Sequence, residues 1–277
     1  MVTIDNLSFS YRKHKVFENL CLNLECGKIY GLLGENGVGK STLLKILSGL
    51  IRPESGSCAV AGMTPFDREP AFLERIFYLQ EQFVAPKISI SGYAMELGNF
   101  YPNFSHDDFY CICNEFDIDP ECHFNKLSLG QQKKAMIAVA VSLHTDILLM
   151  DEPTNGLDIP SKAIFRKLIA QSASDDRLIV ISTHQVKDLE NLIDPIVILD
   201  NDGVLMNASI DGIAEKLSFS IEQELDCDAI YTQHHIGGYF TVRRNDSGYE
   251  TPVDIEVLFN CAMHNRMLFN ELFTNKR

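Results

Sequence analysis

Apolar positions alternate with polar ones from Val2 to Phe9 and again from Val16 to Leu24, with the polar Arg12-Lys13-His14-Lys15 between them. That pattern predicts an antiparallel strand pair joined by a basic turn. After Gly27, Ile29-Tyr30-Gly31-Leu32-Leu33 forms a compact apolar run that leads into a glycine-rich loop. From Ser41 to Leu50 the residues Leu43, Leu44, Ile46, Leu47 and Leu50 fall at helical spacing. Three later runs, Ile147 to Met150, Leu178 to Ile181 and Ile196 to Leu199, show little alternation. Strands apolar on both faces, interleaved with helices such as Ala163 to Ala170, predict a parallel sheet covered by helices. Between Phe83 and Leu127 the texture turns polar and aromatic, as in Tyr93-Ala94-Met95-Glu96-Leu97 and Phe109-Tyr110-Cys111-Ile112, and predicts a mostly helical insertion. Asn201-Asp202-Gly203 before Val204-Leu205-Met206 is a hairpin signal. Beyond Phe219, a strand pattern at Gly237 to Val242 and a helical one over Val253 to Phe273 predict a small α+β module. The expected division is a main domain over 1–217, its helical insertion over about 83–145, and a C-terminal module over 218–277.

Composition narrows the classes. The 277 residues are 45% apolar and 22% charged, the balance of a chain that buries a sizeable core. With 24 Lys and Arg against 38 Asp and Glu the net charge is −14, which disfavours nucleic acid and anionic lipid surfaces as partners while leaving room for a local phosphate site. No stretch reaches the ~20 apolar residues that cross a bilayer. The start, Met1-Val2-Thr3-Ile4-Asp5, lacks a secretory pattern, so a cytosolic chain is expected. The eight cysteines, at 21, 26, 58, 111, 113, 122, 227 and 261, are dispersed and read as reduced thiols. Cys111, Cys113, Cys122 and His123 are four potential zinc ligands without a paired C-x-x-C framework.

Chemistry concentrates in three places. Gly34-Glu35-Asn36-Gly37-Val38-Gly39-Lys40-Ser41 fits G-x-x-x-x-G-K-[ST] between a strand and a helix. Glycines there let several backbone N–H groups point at a phosphate, and the helix adds the positive end of its dipole. Lys40 is placed for the β- and γ-phosphates and Ser41 for Mg²⁺. Ile147-Leu148-Leu149-Met150-Asp151-Glu152 ends an apolar strand in two carboxylates, Asp151 suited to a Mg²⁺ shell and Glu152 to an attacking water. Leu127-Ser128-Leu129-Gly130-Gln131-Gln132 opens a helix expected over Gln131 to Leu143, with Ser128 and Gln131 in capping-box spacing.

That last segment resembles the signature of ABC ATPases, commonly L-S-G-G-Q, and the resemblance extends over residues 1 to about 217. Tyr11, the segment Asn155-Gly156-Leu157-Asp158, and His184 after Leu178 to Thr183 follow in the family's order. The resemblance implies a P-loop NTPase of ABC type: an N-terminal antiparallel β-subdomain, a parallel core sheet, a helical insertion and, here, a small α+β C-terminal extension. It implies that Tyr11 stacks on adenine and that the Gly34 loop from Asn36 to Thr42, including Gly37, Gly39, Lys40 and Ser41, cradles the phosphates of ATP. Ser41 and Asp151 set Mg²⁺, Glu152 polarises water and His184 contacts the γ-phosphate. Ser128, Gly130 and Gln131 face the nucleotide of a second subunit, with Asp158 at the seam.

Two positions depart from the family pattern. Glu81 stands where the family usually has Gln at the entry to the insertion; it can still donate oxygen to Mg²⁺ or water, and it adds negative charge. Leu129 replaces the middle glycine of the signature while Ser128 and Gly130 remain. The resemblance implies a homodimer of nucleotide-binding subunits beneath a separate transmembrane permease, on the inner face of the cell membrane, driving transport of the export type by ATP hydrolysis. A soluble ABC ATPase of macromolecular or iron–sulfur assembly and a non-hydrolytic switch are the alternatives. The substrate is not written in the sequence.

Overall fold

The computed structural model describes residues 2–273 apart from 227 and 247; Cys227 and the last four positions of the C-terminal segment lie outside the described residues. In chain order, β1 (Val2–Tyr11), β2 (His14–Leu24), β3 (Lys28–Leu33), α1 (Lys40–Leu47) and β4 (Ser55–Val60) are followed by α2 (Pro70–Leu73) and β5 (Ile76–Leu79). Then come α3 (Ile90–Gly98), α4 (His106–Glu115), α5 (Leu129–Ser142), β6 (Ile147–Asp151), α6 (Ile159–Gln171), β7 (Leu178–Ser182), β8 (Ile196–Asp200) and β9 (Gly203–Ala208). The chain ends with α7 (Ile210–Ala214), β10 (Leu217–Glu222), β11 (Tyr231–His235), β12 (Gly238–Arg244), α8 (Ile255–His264) and α9 (Arg266–Phe273).

The central sheet runs in the order β5-β6-β7-β3-β8-β9. Its first five strands are parallel, and β9 returns antiparallel through the Asn201-Asp202-Gly203 hairpin. Because side chains alternate across a strand, each apolar run feeds two cores. Ile147, Leu149, Leu178 and Val180 meet Leu43, Leu44 and Leu47 of α1 and the N-terminal sheet, whereas Leu148, Met150, Ile179 and Ile181 meet Ile137 and Ala140 of α5 and Phe165 of α6. This double burial explains why the runs lack alternation.

The N-terminal hairpin gains a third strand. β4 pairs antiparallel with β1, giving the order β2-β1-β4. The pattern of apolar residues does not announce β4, since only Cys58 and Val60 of Ser55–Val60 are buried. The 83–145 region carries α3, α4 and α5, and α5 begins two residues earlier than its apolar spacing suggests because Ser128 caps it. In the C-terminal segment β12 pairs with both β10 and β11. Leu217, Phe219, Val242, Leu258 and Phe269 share one apolar cluster with Leu205 and Met206 of β9, so this module is welded to the edge of the main sheet. No helix among the described residues is long and apolar enough to cross a membrane.

Candidate functional site

Three adjacent strands, β6, β7 and β3, end side by side, and their C-terminal ends carry the chemistry. In an open parallel sheet this edge is where loops converge on a ligand. The loop after β3 turns through Gly37 and Gly39 into α1. Gly39 has φ 113°, and a Cβ there would stand 2.8 Å from both Val16 and Phe17, so only glycine lets β2 approach the loop this closely. Lys40 folds back across the loop, its ammonium donating to the carbonyls of Gly34 at 2.7 Å and Glu35 at 3.1 Å. Burial lowers the basicity of Lys40, and the carboxylates of Glu152, Asp151 and Glu81 oppose that loss.

At the end of β6, Asp151 is buried and oriented from two neighbouring strands. Ser182 of β7 donates to its Oδ1 at 2.5 Å, and Tyr78 of β5 donates to its Oδ2 at 3.1 Å. Burial, then the Asp151 charge, holds the Tyr78 hydroxyl well above the usual phenol range, so Tyr78 remains a donor. Glu152 follows in the left-handed region, φ 46°, a conformation that costs a non-glycine residue about 1 kcal/mol. Its N–H donates to the Ser182 carbonyl at 3.1 Å and hydroxyl at 3.2 Å. Its Oε1 lies 2.8 Å from Nδ1 of His184, while Oε2 is buried without a hydrogen-bond partner. An ionised carboxylate only accepts, so Nδ1 of His184 carries the proton of that bond.

These residues border one cleft of about 430 Å³, lined by Tyr11, Asn36, Gly37, Gly39, Lys40, Ser41, Thr42, Glu81, Asp151, Glu152 and His184. Gly34 stands behind it and contributes the carbonyl that holds Lys40. His14 and Val16 also line the cleft; both belong to the basic turn and strand opposite Tyr11. Ser41, Asp151 and Glu81 offer hard oxygen donors, the set that Mg²⁺ takes with one or two carboxylates and phosphate oxygens. Glu81 is tied to the 155–158 loop, its Oε1 accepting from Asn155 at 3.1 Å, and Asn155 in turn accepts from Gln185 at 3.2 Å.

Ser128, Gly130, Gln131 and Asp158 do not line this cleft. Ser128 accepts from the Gln131 N–H at 3.3 Å and Gln131 accepts from the Ser128 N–H at 3.0 Å, a complete capping box. Asp158 caps α6 through the Ser161 N–H at 2.8 Å and pairs with Lys134 at 3.4 Å. A Cβ on Gly130 would stand 3.0 Å from the Gly156 carbonyl, so the signature and the 155–158 loop are in close apposition. Beside them Leu129 and Ile159 are 83% and 84% exposed.

Sequence reasoning missed Lys133. It is only 6% exposed, and its ammonium donates to the carbonyls of Glu81 at 2.8 Å and Glu152 at 3.3 Å. The available signal was its spacing: Lys133, Ile137 and Ala140 fall on the buried stripe of α5. The cysteine cluster has a different character. Burial pushes the Cys113 thiol up to about 12, Cys111 is exposed, and Cys122 donates to Asp119 at 3.4 Å. A second cleft, about 470 Å³, lies between α4, α5 and α6 beside Asp108, His144 and Arg177; Cys111 lines it, and none of the residues expected to bind ATP or Mg²⁺ does.

The ABC transporter family model matches residues 17–155. The lantibiotic transport ATP-binding protein SrtF of Streptococcus pyogenes is 32% identical over 216 residues, covering 76% of this chain and 92% of that protein. The bacitracin transport ATP-binding protein BcrA of Bacillus licheniformis is 27% identical over 257 residues, covering 84% and 79%. Among solved structures, an ATP-binding subunit of an ABC transporter superposes with a TM-score of 0.70 at 24% identity, covering 77% of this chain and 91% of that one. A dimeric ATP-binding cassette in a post-hydrolysis state with ADP and Pi gives 0.66 at 22% identity, covering 76% and 98%. The two structures establish the cassette fold; together with the family match and the relative at 32% identity, they lead to one conclusion: this chain belongs to the ABC transporter family.

Proposed function

We propose that the chain is the ATP-binding, ATP-hydrolysing subunit of an ABC transporter of the export type. Two copies work beneath a separate permease on the cytoplasmic face of the cell membrane. The observation that carries this reading is the convergence of Lys40, Asp151, Glu152 and His184 on one cleft behind a glycine loop. Tyr11 supplies an exposed ring at the cleft mouth for the adenine face. The N–H groups of Asn36 to Thr42 and the Lys40 ammonium hold the phosphates, local attraction that outweighs the chain's mean negative field. The Glu152 carboxylate, which borders the cleft, is the acceptor for the proton of an attacking water, and His184 fixes one of its oxygens. Magnesium, held by Ser41, Asp151 and the Glu81 position, would neutralise charge on the phosphates.

The helix end at Ser128 and Gly130 lies outside the cleft of its own chain, which suits an anion presented by a second copy. Leu129 and Ile159, otherwise exposed, fall at that seam. Relatives named for lantibiotic and bacitracin transport favour the transporter reading over assembly ATPases. Residues 83 to about 132 are the docking surface for the permease, and 218–277 a regulatory or dimer-stabilising module. Co-purification of the tagged chain with a multi-span membrane protein supports the reading; recovery with soluble scaffold proteins instead would overturn the transporter part of it.

A further inference from the structure

Glu152 sits in a left-handed backbone conformation, and its N–H and its carbonyl are each held by a partner. Ser182 accepts its N–H, and Lys133 donates to its carbonyl. The same Lys133 ammonium donates to the carbonyl of Glu81 in the loop after β5. One buried cation on the signature helix therefore joins two loops more than seventy positions apart in sequence, both of them bordering the nucleotide cleft. The site assembles three carboxylates, Glu81, Asp151 and Glu152, and burial penalises the Lys133 charge while those same carboxylates favour it.

We propose that Lys133 is a positioning residue for hydrolysis: it ties the backbones of Glu81 and Glu152 to α5, so that the Glu152 carboxylate is aimed at the water only while the signature helix is seated. This rests on the hydrolytic reading above. The Lys133 ammonium hydrogen-bonds the carbonyls of Glu81 and Glu152, whereas Lys40 bonds those of Gly34 and Glu35, so the proposed role of Lys133 is separate from ATP capture by Lys40. Lys133 is buried on α5, and a methionine there keeps an unbranched side chain of similar length while deleting the ammonium.

The test uses the full chain as Lys133→Met and Lys133→Arg, with Glu152→Gln as reference. Steady-state turnover is measured alongside hydrogen–deuterium exchange of peptides covering 80–85 and 151–157. Lys133→Met is expected to lower kcat by about tenfold or more with KM for ATP within about twofold, a loss of aim rather than of binding. Exchange should rise in both loops together, and Lys133→Arg should recover most of the kcat and the protection. A Lys133→Met protein with kcat within about twofold of wild type, or with exchange altered in neither loop or only one, would overturn the proposal. If wild-type turnover instead proved indifferent to Glu152→Gln, the hydrolytic reading would fall, while exchange would still decide whether Lys133 ties the two loops.

Discussion

His184 Nδ1 and Glu152 Oε1 lie 2.8 Å apart across the ends of two adjacent strands, which leaves Glu152 one carboxylate oxygen buried and free. The imidazole thus fixes the rotation of the carboxylate and itself borders the cleft. His184→Ala is expected to reduce kcat about a hundredfold while ATP still binds. Rapid-quench turnover beside equilibrium nucleotide binding checks this, and loss of binding with unchanged single-turnover rate would go against it.

The role proposed for Lys40 is in binding. Its ammonium is held in place by the Gly34 and Glu35 carbonyls before any phosphate arrives. Lys40→Ala should weaken ATP binding by tenfold or more, about 1.4 kcal/mol or above, with fold stability nearly unchanged. Isothermal titration with ATP and with ADP measures it; equal affinity in both proteins would remove Lys40 from the site.

The signature separates cap from function. Ser128→Ala deletes the acceptor for the Gln131 N–H and should cost about 1 kcal/mol in denaturant unfolding. Gly130→Ala puts a methyl 3.0 Å from the Gly156 carbonyl and should displace the 155–158 loop. Since neither residue lines the cleft of its own chain, ATP affinity of the isolated subunit should hold in both variants while turnover falls. An ATP affinity that drops with turnover would place the signature in the same chain's site.

Much of this was legible in the sequence because it is written in local patterns. The apolar runs at 147–150, 178–181 and 196–199 name the inner strands, and the spacing of Gly34, Gly39 and Lys40 marks the glycine loop between β3 and α1. Ser128 and Gln131 announce their own capping box. What stayed hidden depends on distant partners. β4 is built from small residues, and only its pairing with β1 makes it a strand. Asp151 owes its orientation to Tyr78 and Ser182, 73 and 31 positions away. Lys133 belongs to no motif, and only the fold brings its ammonium to the carbonyls of Glu81 and Glu152. The C-terminal segment looks like an appendage in composition, yet Phe219, Val242 and Phe269 bury themselves in the cluster that includes β9.

That segment should loosen in acid. Arg243 donates to Glu222 and Asp226 across β12, and the Arg243 bonds hold Glu222 below its ordinary value. Asp226 is held below its own by the Asp228 N–H first and by Arg243 next. Carboxylates lowered in the folded state stabilise it above their unfolded pKa, and that contribution fades as pH falls through the carboxylate range below about 5. Exchange in 217–244 should therefore rise on acidification before the central sheet responds, and Arg243→Gln should show the looser hairpin already at neutral pH. A pH-independent hairpin in wild type would contradict the assignment.

Under the proposed function this cleft hydrolyses ATP with Glu152 as proton acceptor. Phosphate release from ATP with magnesium, followed for the full chain and for Glu152→Gln at matched nucleotide occupancy, tests it most directly. Turnover is expected in the wild type and should fall by about a hundredfold or more in the variant, with bound ATP retained. Equal rates in the two proteins would contradict it.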